Sequence, residues 1–234
     1  MKLQNLLKRP HQSKFKAMFN LEKYKTIIFD CDGVILNSNF QKIEAYRSAA
    51  ISFGANEQQA QALVDHHVAL TGISRNIKFK HFLTEIMHQE VTENAMNELL
   101  KALNKQVLKL LSECEIAQGL SNLRDKTKNS KWMVASGGDE KELNHLFKEK
   151  KIDHFFDEGI YGSPASKHEI IESQQKKLNF SPALFLGDSL YDIQTAQKYN
   201  LDFIFVSGWT DLFDWERICT DGEIITIEGI KDLV

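Results

Sequence analysis

Four aspartates stand where apolar runs end, in Asp30-Cys31-Asp32-Gly33-Val34 and in Gly187-Asp188-Ser189-Leu190-Tyr191-Asp192. Residues two apart on an extended chain point the same way, so Asp30 and Asp32 would face one pocket about 6–7 Å apart. Gly33 lets the chain turn sharply behind them. Such a pair can do nucleophilic and proton-transfer work, one carboxylate attacking a phosphorus atom while the other handles the proton on the ester oxygen. Asp188 and Asp192 are four apart, so one turn of a nascent helix brings them together. Four acids at one edge repel each other unless a cation sits among them, and oxygen-only ligands select Mg²⁺ over softer metals. The metal-ligand set expected is therefore Asp30, Asp32, Asp188 and Asp192. Ser136, followed by Gly137-Gly138 and a helix start near Asp139, offers a hydroxyl and backbone N–H groups as a phosphate seat. Lys167 is the one cation placed to neutralise phosphate charge and to keep the acids ionised.

These residues need a scaffold that gathers strand ends. The run Lys25–Asp30 is apolar and β-branched, as in a strand buried on both faces. Similar runs follow at 132–136, 155–161, 183–187, 203–207 and 223–227. Helix-period segments lie between them at 139–150, 166–178 and 190–199. Alternation of this kind indicates an α/β fold with a doubly wound, Rossmann-like parallel sheet. In such sheets ligands sit beyond the carboxyl ends of the strands, where the four acids fall. Residues from about 40 to 117 read as helix throughout, with Leu99, Leu103, Val107 and Leu111 on one stripe. That is too long for an ordinary crossover. The expected organisation is a basic arm (1–24), an α/β core (25–38 and 118–234) and an inserted all-helical cap (39–117).

Composition narrows the function classes. Of 234 residues, 42% are hydrophobic and 26% charged, as in a soluble globular protein. No apolar run is long enough to span a membrane and the N-terminus lacks a secretory pattern. Three cysteines without a CxxC spacing read as reduced thiols, which points to the cytoplasm. A net charge of −3 argues against nucleic acid as a partner. Residues 1–25 hold seven Lys or Arg and one Glu, so a basic arm precedes an acidic body. Its apolar spacing suggests packing on the body or on a second subunit, hence a possible homo-oligomer, with attachment to anionic lipid as the alternative.

With Asp30-Cys31-Asp32-Gly33-Val34, Ser136, Lys167 and Gly187–Asp192 in this order, the chain resembles the haloacid dehalogenase-like superfamily. Within it, the chain is most similar to the phosphoglycolate phosphatase and β-phosphoglucomutase branch with a helical cap. The resemblance covers residues 25 to 210. It implies that Asp30 is the nucleophile forming an aspartyl-phosphate and that Asp32 is the general acid, then the base. It implies that Ser136 and Lys167 bind the transferring phosphoryl. It further implies that Mg²⁺ is held by Asp30, the Asp32 backbone carbonyl and Asp188, with Asp192 bound through water or in support. Asp32 itself favours phosphate esters over haloacids. Lys167-His168 replaces the Lys-Pro of many relatives. Gly187 stands where mutases of this branch usually have an acid, which favours hydrolysis. The substrate expected is a small phosphorylated metabolite such as a sugar phosphate.

Other features have plainer readings. Leu70–Arg75 resembles the substrate-facing loop of the mutase-like group, so Arg75 is a candidate for a distal phosphate or carboxylate, or a solvated surface residue. His66 and His67 are read as helix-surface residues, Cys31 as a small core hydrophobe, and Trp209 and Trp215 as packing. The alternatives to a phosphatase are a sugar-phosphate mutase and a binding protein without turnover.

Overall fold

The computed structural model describes residues 20–177 and 179–234. The expectations for the basic arm, including its role in an oligomer, fall almost wholly on residues 1–19 and lie outside the described residues. The six strands are β1 (Thr26–Phe29), β2 (Lys131–Asp139), β3 (Ile160–Ser163), β4 (Ala183–Gly187), β5 (Asp202–Val206) and β6 (Ile225–Ile227). They form one sheet in the order β3-β2-β1-β4-β5-β6, every pair parallel. The order reverses at β1, which therefore lies beside both β2 and β4. A crevice at such a reversal is where open α/β sheets bind ligands.

The strands are apolar along their length because both faces are covered. Ile27, Phe29, Trp132, Val134, Leu184 and Leu186 pack into one layer. Ile28, Met133, Ala135 and Phe185 pack into the other, against Ile170, Ile171 and Ala196. The side chains of successive residues alternate between the layers, as the pleat requires.

Between β1 and β2 come α1 (Asn39–Ser52), α2 (Glu57–Ala69), α3 (Arg75–His81), a π-type turn at Phe82–Ile86, α4 (Glu93–Ser112) and α5 (Leu120–Lys126). Helix α1 packs against α2 and α4. Leu99, Leu103, Val107 and Leu111 of α4 are all buried, the stripe expected from their spacing. Beyond β2 follow α6 (Glu140–Glu149), α7 (Lys167–Gln175), α8 (Leu190–Tyr199) and α9 (Trp215–Asp221). Among the described residues no helix is long and apolar enough to cross a membrane.

One strand differs from expectation. The run 155–161 is not extended throughout: residues 153–155 form a 3-10 turn and the strand starts at Ile160. Gly159 has a φ of +108°, which interrupts any strand before it. Phe156 is apolar for a different reason, its ring packing on Phe29, Trp132 and Phe147. The tryptophans behave as read: Trp215 stacks on Phe205 and Trp209 packs against the core.

Candidate active site

β1 and β4 run side by side with Phe29 opposite Leu186, so the residues just past them emerge together. Asp30 donates its N–H to the Leu186 carbonyl at 2.9 Å, and its Oδ1 accepts from the Cys31 N–H at 2.7 Å. Cys31 itself is fully buried in the core. Gly33, at a φ of +74°, turns the chain beneath Asp188; a Cβ there would lie 2.0 Å from Asp188 Oδ2. Asp188 Oδ2 accepts from the Asn39 amide at 2.8 Å, and its carbonyl accepts from the Thr210 hydroxyl.

Helix α8 starts with a capping box. Ser189 and Asp192 bond reciprocally, the Ser189 hydroxyl donating to Asp192 Oδ2 at 2.6 Å. Asp192 Oδ1 then accepts from Lys167, the first residue of α7, at 2.5 Å. Lys167 also meets Asp30 Oδ2 at 2.8 Å. The ammonium thus joins the two acidic segments, and its own helix is anchored by a second box between Ser166 and Glu169.

Oxygens of Asp30, Asp188 and Asp192 lie within 4.8 Å of one another, all three residues buried. Asp188 Oδ1 is buried and has no hydrogen-bond partner among the described residues. An orphaned, buried carboxylate oxygen beside two more hard donors suits a divalent cation. Burial pushes the Asp30 carboxyl up to about 7, Lys167 opposing the rise and Asp192 and Asp32 adding to it. Burial also raises Asp188 well above the carboxylate range, with Asp30 and Asp192 repelling it. Burial acts to discharge Lys167, but Asp192 and Asp30 outweigh it and hold the ammonium charged. One ammonium leaves three carboxylates under-compensated, and a cation among the oxygens would relieve the repulsion.

The expected ligand set is gathered unevenly. Asp192 already gives its oxygens to Lys167 and Ser189. The Asp32 carboxylate is not in the group. It accepts from the Ser38 hydroxyl at 2.6 Å and pairs with Lys42 of α1. Burial works against its charge, but Lys42 and Ser38 outweigh it and hold its pKa below the usual value.

Ser136, at the end of β2, is fully buried, and its hydroxyl accepts the Gly138 N–H at 3.1 Å. The amides at the start of α6 are not free as expected: Asp139 accepts from the N–H groups of Lys141 and Glu142. What faces the site is the backbone of Gly137 and Gly138.

The loop Leu70–Arg75 lies on top of these glycines. A Cβ on Gly137 would come within 2.5 Å of the Gly72 carbonyl. Thr71 donates to Asp211 at 3.0 Å, and the Ser74 and Ser163 hydroxyls meet at 2.9 Å. Arg75 is not solvated. It forms a buried double contact with Glu142 at 3.1 and 2.9 Å and bonds Asn104. The space left is a cavity of about 30 Å³ lined by Asp30, Asp32, Lys42, Tyr46, His67 and Lys78 among others. That holds roughly two water molecules.

The reading of His67 as a surface residue is corrected. Its ring is buried, stacked on Tyr46 with centroids 4.0 Å apart, and its Nδ1 lies 2.8 Å from Lys78 Nζ. Packing of α2 against α1 turns its inner face toward the cavity. His66, its neighbour, faces elsewhere and stacks on His81. Ser38, Asn39, Lys42, Lys78 and Glu142 were not singled out from sequence. A signal existed for two: Asn39 and Lys42 are spaced by three, and Tyr46 follows four further on, one face of the first helix after the aspartate pair.

The haloacid dehalogenase-like hydrolase family model matches residues 27–206. The chain belongs to the haloacid dehalogenase-like hydrolase family. Members of this family generally use a divalent metal, which accords with the buried aspartate cluster. Solved structures share the fold. A predicted phosphoglycolate phosphatase from Haemophilus somnus is 17% identical with a TM-score of 0.71, over 92% of this chain and 98% of that one. A β-phosphoglucomutase from Clostridium difficile is 20% identical with a TM-score of 0.66, over 90% and 93%. A predicted phosphatase from Clostridium acetobutylicum is 20% identical with a TM-score of 0.68, over 90% and 96%.

Two predictions follow from this geometry. Gly33→Ala must adopt a left-handed φ and intrude on Asp188, so it should cost about 1–3 kcal/mol in urea unfolding. Adding a divalent cation should raise the melting temperature of the wild type and leave that of Gly33→Ala unchanged. Second, burial and Lys78 depress the pKa of His67 well below 6.5. The unfolded chain therefore takes up a proton that the native state refuses. This contribution to stability is intact above pH 6.5 and is lost as pH falls below it, by up to about 1.4 kcal/mol per pH unit. His67→Gln should flatten the acid side of the stability profile by that slope; an unchanged profile would show that His67 titrates normally in the fold.

Proposed function

We propose that this hydrolase is a Mg²⁺-dependent phosphatase of small phosphomonoesters, acting through an aspartyl-phosphate on Asp30. The observation that carries the reading is the buried junction of Asp30, Lys167, Asp188 and Asp192 at the ends of adjacent strands, beneath a cavity that Asp32 also lines. The residues that would hold the metal are Asp30 and Asp188, with the Asp32 backbone carbonyl, and Asp192 in support through Lys167 and Ser189. Bound there, Mg²⁺ offsets charge on the phosphoryl oxygens and on the carboxylates.

In the first half-reaction an Asp30 carboxylate oxygen attacks phosphorus. The bond from phosphorus to the alcohol oxygen breaks, and Asp32 delivers a proton to that oxygen. In the second, a water oxygen attacks the phosphorus of the aspartyl-phosphate while Asp32 takes the water proton. The bond to Asp30 breaks and inorganic phosphate leaves. Ser38 orients Asp32, and in the closed form Lys42 holds it ionised, as the second half-reaction needs; lifting of the cap takes Lys42 away and lets Asp32 pick up the proton that it gives in the first. Lys167 and the Gly137 backbone receive the phosphoryl oxygens, with Ser136 bracing the turn. Most of what phosphoryl transfer needs is positioning and charge compensation of this kind.

The helices from α1 to α4 act as a cap in this account. The closed cavity is too small for a metabolite, so substrate enters when the cap lifts, breaking the contacts of Lys42, Thr71, Ser74 and Arg75 with the core. Reclosure excludes bulk water during transfer. Gly187 supports hydrolysis over the mutase reading because mutases of the branch that the chain resembles usually have an acid there, and in this fold a Cβ at 187 would lie 2.4 Å from that of Asp192.

The test is phosphate release from a panel of sugar phosphates and small phosphomonoesters, with and without Mg²⁺. Release should need Mg²⁺. Asp30→Asn should lower it by about 10³-fold or more, and Asp32→Asn by about 10²–10⁴-fold with metal binding retained. Full release by Asp32→Asn would remove it as the proton carrier. Isomerisation of a sugar phosphate without net phosphate release would establish the mutase instead.

A further inference from the structure

One side chain joins the helical insertion directly to the aspartate cluster. Asn39 is the first residue of α1 and is only 5% exposed. Its Nδ2 donates to Asp188 Oδ2 at 2.8 Å and to the Trp209 carbonyl at 2.9 Å. A carbonyl can only accept, so the amide nitrogen and not its oxygen lies on this side. Both N–H bonds of the amide are used, which fixes the plane of the group. Gly33 leaves the room for this contact, since a Cβ there would lie 2.7 Å from Asn39 Nδ2. The loop that receives the second bond is itself tied down. Thr210 donates to the Asp188 carbonyl at 2.6 Å, and Asp211 accepts from Thr71 of the insertion.

The two oxygens of Asp188 are therefore unlike. Oδ2 has the Asn39 donor, and Oδ1 has no partner among the described residues. A donor on one oxygen orients the carboxylate and favours its ionised form, against the burial that opposes it. The other oxygen is left for a cation. Asn39 is also placed to move with the insertion. The chain enters and leaves the insertion through two segments that pair with each other: Ala117 donates to the Ile35 carbonyl at 2.8 Å, and Asn37 to the Glu115 carbonyl at 3.0 Å. Asn39 lies two residues beyond this pairing, so rotation of the insertion about it draws the amide away from Asp188.

We propose that Asn39 is a positioning residue for Asp188 and that, through it, binding of a divalent cation and seating of the insertion favour each other. This rests on the metal site of the phosphatase reading and adds a regulation of that site by the position of the cap. Linkage makes the effect reciprocal: the factor that closure adds to cation affinity is the factor that the cation adds to closure. Lys42, Arg75 and Lys78 of the insertion line the same cavity and would be repelled by an added cation. Coupling of this sign therefore needs a specific bond and not the general field.

Two measurements on the full chain test this without turnover. Calorimetric titration with Mg²⁺ gives the cation affinity. Asn39→Leu keeps the volume and removes both donors, and it should weaken binding by about 10–100-fold, as loss of a group that orients a metal ligand does. Asn39→Ala should weaken it too, and takes its place if the leucine variant does not fold. The second measurement follows the insertion. Ser74 is 8% exposed at the boundary with the core, where its hydroxyl meets that of Ser163. A Ser74→Cys thiol should therefore react with iodoacetamide when the insertion lifts. Mg²⁺ should slow modification at position 74, read by mass spectrometry, by about fivefold or more with Asn39 in place. It should leave the rate unchanged, or raise it, in the Asn39 variants. An asparagine that only supports the fold would lower the melting temperature of the metal-free protein and move neither readout. Unchanged Mg²⁺ affinity in the Asn39 variants, or modification that Mg²⁺ does not slow when Asn39 is present, overturns the proposal. Absence of Mg²⁺ binding by the wild type overturns it together with the metal site. Mg²⁺-dependent phosphate release with unchanged affinity in the variants removes the inference and leaves the phosphatase reading. Mg²⁺ affinity and slowing that depend on Asn39, without release from any ester, do the reverse.

Discussion

Three buried carboxylates share one ammonium, and the rest of the molecule is arranged so that this can persist. Asp30, Asp188 and Asp192 would repel one another out of any arrangement not fixed by covalent geometry and packing. β1 and β4 fix two of them because parallel neighbours in register end side by side. The capping box of α8 fixes the third, and α7 delivers Lys167 to Asp30 and Asp192. The orphaned oxygen of Asp188 marks where compensation is still incomplete. Such an electrostatically unsatisfied cluster suits a cation, which is what the proposed phosphoryl transfer needs there.

The helical insertion answers the same field from the other side. Its cations point inward, and Lys42 and Arg75 find partners on the core at Asp32 and Glu142. These contacts do two jobs: they hold the insertion against the strand ends, and they pair buried charges that line the cavity between them. Buried ion pairs of this type add little net stability but are sensitive to what replaces them.

Much of this was legible in sequence because it is local. The strand at Ala183–Gly187 and the helix at Leu190–Tyr199 coincide with their apolar patterns, since a buried parallel strand and an amphipathic helix each carry their period in a single segment. The four aspartates and Lys167 were legible because each follows such a segment at a strand end. The run 155–161 misled because Phe156 is apolar to serve an aromatic cluster. His67 misled because its burial depends on how α2 packs on α1, which no local period encodes. The partner of Arg75, Glu142, is 67 residues away, and the loss of the α6 amides to Asp139 depends on which side chain caps the helix.

The central claim is that Asp30 becomes phosphorylated. The most direct measurement is to mix the Mg²⁺-loaded protein with a small phosphoryl donor such as acetyl phosphate, quench it in acid, reduce acyl phosphates with borohydride and read the peptides by mass spectrometry. The account predicts homoserine at position 30, and aspartate unchanged at 32, 188 and 192. Phosphate release without conversion at 30, or conversion at another aspartate, would contradict it.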